Sequence, residues 1–228
     1  MNDDWDLNIV CDASISNVVA LNLKRRSLSD LGGKEAMDNA LATVKKKNLG
    51  KPVDLSAEFE WRYFITELDC SYQDLKELDL SGYPNLNELW CEYNNLSELD
   101  LSHTPKLKVL YCDNNNLASL DLSHTPHLQW LDCRENKLTE IDLSRTPKLT
   151  ELRCDGNKIQ ELDWSCTPEL TGIYCSENSL TQLDLSHTPA LRVLYCHDND
   201  LKKLDLSHSP QLKWLYLQDE GRIRLGTD

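Results

Sequence analysis

Seven cysteines, Cys70, Cys91, Cys112, Cys133, Cys154, Cys175 and Cys196, recur at intervals of 21 residues. A strict period of this size means a stack of equal coils, each unable to bury its apolar face without its neighbours. Setting the copies one under another from Ile65, Leu86, Leu107, Leu128, Leu149, Leu170, Leu191 and Leu212 gives the shared pattern L-x-x-L-x-C-x-x-N-x-L-x-x-L-D-L-S-x-T-P-x.

Each column of that pattern has a physical task. The stretch leading to the cysteine alternates apolar and variable residues, the two-residue period of a strand with one buried and one exposed face. Stacked copies then build a parallel sheet with one strand per copy, about 4.8 Å apart, so eight strands span roughly 35 to 40 Å. The Asn column (Asn94, Asn115, Asn136, Asn157, Asn178, Asn199) offers amide donors and an acceptor to backbone groups that the turn after the strand would otherwise bury unpaired. The outer copies carry Gln73 and Glu220 there, the drift expected of terminal repeats. Thr-Pro, with Pro105, Pro126, Pro147, Pro168 and Pro189, fixes φ on the return to the next strand. Leu-Asp-Leu leaves too few residues for a helix on the outer side, which predicts extended or short 3-10 segments there.

With these columns in place, residues 65 to 217 resemble the cysteine-ladder leucine-rich repeats of the internalin J type, whose copies read close to L-D-L-S-x-T-P-x-L-x-x-L-x-C-x-x-N-x-L. The resemblance covers about two-thirds of the chain. It implies a bacterial origin, a curved leucine-rich repeat solenoid with its parallel β-sheet on the concave face, and a role in protein recognition.

The cysteine ladder itself reads as scaffolding. In-register parallel side chains point the same way and not at one another, and seven is odd, which speaks against a disulfide set. The short C-x-x-C spacing that closes a metal site is missing. Buried small apolar residues, inert because burial raises a thiol's pKa, account for the column.

Residues 1–62 form a separate N-terminal cap on this reading, residues 63–217 hold about eight repeats, and residues 218–228 close the end. Val18 to Leu31 keeps the leucine spacing without Cys or Asn, as in a degenerate first coil. A helix is predicted over 33–47, where Ala36, Ala40 and Val44 recur on one face, Glu35 and Asp38 sit early and Lys45, Lys46 and Lys47 sit late. Its use would be to cover the open edge of the first strand. Ile223 and Leu225, alternating with Arg222 and Arg224, predict a short closing strand. The acidic start Met1-Asn-Asp-Asp-Trp-Asp lacks the basic region and apolar run of a signal peptide. The expectation is a soluble protein made in the cytoplasm, with leaderless export left open.

Function must come from the outward positions of the sheet. Repeat positions 3, 5, 7 and 8 project to the concave side and carry Tyr72, Trp90, Tyr93, Tyr111, Trp130, Tyr174, Tyr195, Trp214 and Tyr216, nine of the sixteen aromatic residues. The Leu and Cys columns already fill the core, so these rings point to an interface, where Tyr and Trp act as anchors. Among them lie the acidic residues Glu88, Glu92, Asp113, Asp132, Glu151 and Asp155, with Arg153 as a neighbouring cation.

Charge narrows the partner. Residues 1–62 hold nine Lys or Arg against ten Asp or Glu, while the rest holds 15 against 28, so the acid lies on the solenoid and the whole chain carries −14. The four outward columns contain twelve acidic residues against two arginines, Arg134 and Arg153. A face of that sign repels nucleic acid and favours a basic protein.

The outer Asp column (Asp79, Asp100, Asp121, Asp142, Asp163, Asp184, Asp205) could offset its like charges with calcium, but a carboxylate accepting backbone N–H bonds in its own Ser-x-Thr turn explains it with what the repeat contains. No cofactor or metal follows from the sequence, no membrane-spanning segment is visible, and no P-loop, G-x-S-x-G or H-E-x-x-H motif occurs. The sequence therefore predicts a non-catalytic module that grips a basic protein in its concave face, as an intracellular adaptor, inhibitor or immunity protein. Two alternatives share that face: an exported effector or adhesin on a host protein, and glycan binding on the aromatic rings.

Overall fold

The computed structural model of the chain describes residues 65–217, together with the backbone of three short strands outside that span. Two of these, β1 (Asn8–Cys11) and β2 (Val19–Asn22), pair antiparallel with Ile9 opposite Leu21. They form a two-stranded sheet of their own. The predicted helix over 33–47 lies outside the described residues.

Eight three-residue strands follow, one per copy: β3 (Glu67–Asp69), β4 (Glu88–Trp90), β5 (Val109–Tyr111), β6 (Trp130–Asp132), β7 (Glu151–Arg153), β8 (Gly172–Tyr174), β9 (Val193–Tyr195) and β10 (Trp214–Tyr216). All pair in parallel with their sequence neighbours, and the register follows the repeat: Leu68 faces Leu89, Leu89 faces Leu110 and Leu110 faces Leu131. β11 (Ile223–Arg224) closes the sheet antiparallel to β10, with Leu215 opposite Ile223. The closing strand expected at the far end is therefore present, and it covers what would otherwise be an open edge.

The core is columnar. The middle residue of each strand from β3 to β10 is buried, and the leucines at positions 1, 4, 11 and 16 fill the coil interior from Leu86 to Leu191 with little or no exposure, Ile and Trp164 standing in for Leu in places. Each such side chain contributes on the order of 1.5–3 kcal/mol by leaving water. All seven ladder cysteines are buried and unpaired. Four of them, Cys70, Cys91, Cys133 and Cys175, donate Sγ–H to the carbonyl of the strand's last residue in the next copy, at 3.3–3.5 Å. The same carbonyls accept the cysteine N–H at 2.8 Å, so each of these thiols sits against the backbone ladder. Burial pushes the Cys70 and Cys196 thiols up to about 12 and the five between them well above the ordinary thiol value.

The Asn column ties copies together as the sequence predicts. Asn136 Nδ2 donates to the carbonyls of Cys112, Cys133 and Arg134 at 3.0–3.1 Å, and its Oδ1 accepts from Leu117 N at 3.0 Å. Asn94, Asn115, Asn157, Asn178 and Asn199 repeat the arrangement.

On the outer side the chain runs through two consecutive turns with no helix among the described residues. Thr104 N and Oγ1 both donate to the Leu101 carbonyl at 3.0 Å, and Leu107 N donates back to Thr104 O at 3.1 Å. Pro105 thus occupies the second position of the second turn, where its fixed φ belongs. Each outer Asp accepts a hydrogen bond from the Ser two residues on: Asp100 Oδ1 from Ser102 N at 2.9 Å, Asp121 from Ser123 N at 2.8 Å, and so along the column. Those hydrogen bonds hold the exposed carboxyls of Asp121, Asp142, Asp163, Asp184 and Asp205 below the usual Asp value, and bonding by Ser102 does the same for Asp100.

Candidate partner-binding face

Alternation in a three-residue strand leaves positions 3 and 5 on the side opposite the core. Because the register repeats without slip, equal positions of neighbouring copies stand about one strand spacing apart. Position 5 therefore becomes a row, and in this chain most of that row is aromatic. Trp90 and Tyr111 lie nearly parallel, centroids 6.3 Å apart, and Tyr111 and Trp130 are 6.1 Å apart. Beyond a gap filled by Arg153, Tyr174 stacks on Tyr195 at 4.9 Å, Tyr195 meets Tyr216 at 5.6 Å, and His197 packs edge-on against Tyr216 at 4.3 Å.

Arg153 bridges the two groups of rings. Its guanidinium lies 4.8 Å from the Trp130 centroid and 4.9 Å from that of Tyr174. Glu151 Oε1 accepts from Arg153 Nε at 3.0 Å and from a terminal nitrogen at 2.8 Å, which orients the plane of the group. Gly172 makes room for this pairing: a Cβ there would come within 3.2 Å of Glu151 Oε2 and 3.3 Å of the Tyr174 ring. The result is one half-buried band from Trp90 to Tyr216 across seven copies. Trp214, at position 3 of β10, is half-buried on the same face, and Tyr72 and Tyr93 form a second, more exposed stack at 4.5 Å.

Two acidic residues expected to be exposed on the outward side are covered there. Asp132 has no exposed surface: Arg134, two residues on, folds back over it and donates Nε to Oδ1 at 2.8 Å and a terminal nitrogen to Oδ2 at 2.7 Å. Asp113 is buried as well, its Oδ2 accepting from Asn114 Nδ2 at 2.9 Å. Neither presents a free carboxylate to a partner as the column assignment expects. Alternation gives the side of the backbone a residue leaves from, and a longer neighbour on that side can still cover it. Glu88, Glu92, Glu151 and Asp155 are half-buried on the concave side as expected. Gln218, Asp219 and Glu220 lie outside the described residues.

Position 8 reveals something that residue types did not announce. Tyr72, Tyr93, Asn114, Glu135, Glu177 and Asp198 all hold φ between 50° and 57°, and Gly156 stands at 66° in the same column. The backbone takes the left-handed conformation after each of β3 to β9, yet glycine supplies it once. This turn throws the position-8 side chains up beside those of position 7 and builds an acidic margin along the aromatic band. Burial, with the like charges of Asp113, Asp69 and Asp132 adding to it, raises the Glu92 carboxyl to about 7, and Glu92 Oε2 is buried without a hydrogen bond. Burial also raises Asp113 and Asp155 above the usual Asp value.

Within that margin lies a groove of about 560 Å³, with Asp113, Arg134, Asp155, Ser176 and His197 from position 7 on its wall. Ser176 and His197 carry no sequence signal of this role. A small hydroxyl between long neighbours becomes buried only once the coils are stacked.

The family described as leucine-rich repeats (two copies) matches residues 126–166 of this chain. Among solved structures, the functional domain of InlJ from Listeria monocytogenes, described as including a cysteine ladder, is 34% identical with a TM-score of 0.61, over 70% of this chain and 41% of that one. A leucine-rich repeat protein of Leptospira interrogans is 21% identical with a TM-score of 0.63, covering 69% of this chain and 44% of the other. An internalin, inlF, from Listeria monocytogenes is 17% identical with a TM-score of 0.58, over 69% and 54%. The last two likenesses show the fold alone. The chain thus spans less than half the length of the first two structures it matches. No curated protein matches its sequence.

Proposed function

Because this chain is a leucine-rich repeat protein of the cysteine-ladder type, we propose that it is a non-catalytic recognition module whose concave face binds a basic protein. The fold is one that typically serves protein–protein interaction, and related solenoids are generally binding scaffolds. The observation that carries the finer reading is the band of rings joined through Arg153, from Trp90 to Tyr216, bordered by carboxylates. Rigid amphipathic side chains already held in place lose little entropy on binding, which is why such rings become anchors. The acidic margin steers a basic partner towards them.

A protein suits this surface better than a glycan. Sugar binding uses a free ring face, whereas Trp90 with Tyr111, and Tyr174 with Tyr195, turn their faces towards one another. The role we favour is that of an intracellular adaptor, inhibitor or immunity protein. An exported effector or adhesin would use the same face.

Affinity capture from lysate tests the reading, with wild type and a Trp90→Ala, Trp130→Ala, Trp214→Ala variant as baits and elution by a salt gradient. The expected result is a protein of high isoelectric point retained by wild type alone and released at moderate salt, as screening of opposite charges requires. Recovery of the same partners by both baits would sink the concave-face reading.

A further inference from the structure

We propose that the groove beside the aromatic band is a socket for a single basic side chain, the guanidinium or ammonium group of an Arg or Lys on the bound protein. This rests on the concave face being the binding surface and adds to it a definite anchor point.

The electrostatics of the groove are unbalanced. Asp113, Glu135, Asp155 and Glu177 line it, and the cation on its wall, Arg134, is already held by Asp132, a carboxylate that is not part of the lining. With Asp113 engaged by Asn114, three carboxylates, those of Glu135, Asp155 and Glu177, face a space whose one arginine is neutralised by Asp132. Burial raises the carboxyls of Asp113 and Asp155, and the attraction of Arg134 for both does not offset it.

Two further polar groups are left over. Ser176 is 1% exposed, and its hydroxyl, which helps to hold the Asp155 carboxylate beside it, accepts no hydrogen bond. Buried His197 Nδ1 likewise has no partner, while Nε2 of the same ring is 3.8 Å from Asp198 Oδ2. Buried polar atoms are ordinarily hydrogen-bonded, so two orphans on one groove point to a ligand that donates. An Arg offers five N–H donors and a Lys three, with no acceptor to clash with carboxylates. The volume, about 560 Å³, accommodates such a side chain with part of the backbone that bears it.

The rival occupant is a divalent metal ion at the rim, where Glu177, His197 and Asp198 can bring one ligand atom each within 4.8 Å of one another. Their carboxylate and imidazole set suits zinc, but two of the three are solvent-exposed and Ser176 would remain unpaired.

The test needs no identified partner. The 15N-labelled full chain is titrated at pH 7 and low salt with N-acetyl-arginine N-methylamide, its lysine analogue, its uncharged citrulline analogue, and zinc chloride, following the amides of Ser176, Glu177 and His197. The expected result is saturable shifts at these amides with the arginine or lysine probe and binding at least about tenfold weaker with citrulline. Glu177→Gln, an exposed change, and Asp155→Asn, which keeps an acceptor for Ser176 N, should each weaken the cationic probe by about tenfold. An unchanged spectrum elsewhere reports that the fold is intact. Equal binding of citrulline, or shifts that avoid the groove, would overturn the proposal. So would zinc that saturates the same amides and shuts out the arginine probe. If the probes ignore the groove while partner capture still depends on Trp90 and Trp130, the socket fails and the concave-face reading stands.

Discussion

The guanidinium of Arg153 lies 4.8 Å from the centre of the Trp130 ring and is held there by Glu151. That contact, with the one to Tyr174, turns two groups of rings into one surface. Each half-exposed cation–π contact contributes about 0.5–1 kcal/mol, and the ion pair no more than about 1. Arg153→Ala should therefore lower unfolding stability by about 1–2 kcal/mol in urea titration. Arg153→Lys should fall between, because an ammonium cannot lie flat between two rings. A loss below about 0.3 kcal/mol for Arg153→Ala would mean that the two groups of rings are independent.

Asn136 satisfies three carbonyls and one N–H belonging to two neighbouring copies of the repeat. Asn136→Ala leaves those buried groups unpaired, at about 1–3 kcal/mol for each one that water cannot reach. Because stability in a solenoid passes between neighbours, chemical denaturation should show a loss of about 3 kcal/mol or more, with broadening if the stack splits at that coil.

Glu92 provides a pH signature. Its carboxyl is raised from 4.5 to about 7 in the fold, so between those values the folded chain holds a proton that the unfolded chain has lost. Stability from this group is full below about pH 4.5, declines as pH rises to about 7, and is flat above it. Half-exposure screens the effect to on the order of 1 kcal/mol. Glu92→Gln should raise the melting temperature at pH 8 and leave it nearly unchanged at pH 4.5. The outer Asp column, its carboxyls held low by Ser, stays charged across this window and loses its contribution only as pH falls below the ordinary Asp range.

The ladder cysteines should be inert in the native protein. Iodoacetamide at pH 8 followed by peptide mapping should modify exposed Cys166 and spare Cys91, Cys112, Cys133, Cys154 and Cys175, whose thiols are buried and raised far above that pH. Labelling of the ladder at a rate comparable to Cys166 would show that the coils open readily.

Most of the fold was legible because each repeat column has one dominant residue type and the period never slips. Cys, Asn, Thr-Pro and Asp each announced a task, and Cys133, Asn136, Thr104 and Asp121 perform it. The outward face was legible as a set of columns, and Trp90, Tyr111, Tyr174 and Tyr195 form the row expected of them. What stayed hidden depends on pairs. Asp132 disappears because Arg134 covers it, Arg153 joins the rings because Gly172 leaves space, and Ser176 is buried by longer neighbours. The left-handed turn at position 8 was masked because Tyr, Asn, Glu and Asp occupy it in place of glycine.

The central claim is that the aromatic concave face carries the affinity for a basic protein. Its most direct measurement is the dissociation constant of the captured partner for wild type, for the Trp90→Ala, Trp130→Ala, Trp214→Ala variant, and for an outer-face control, Arg145→Ala. Loss of anchor rings predicts weakening of at least about a hundredfold for the triple variant and no change for the control, with circular dichroism reporting an intact sheet in both. Equal affinity of the triple variant and wild type, or a loss confined to Arg145→Ala, would contradict it.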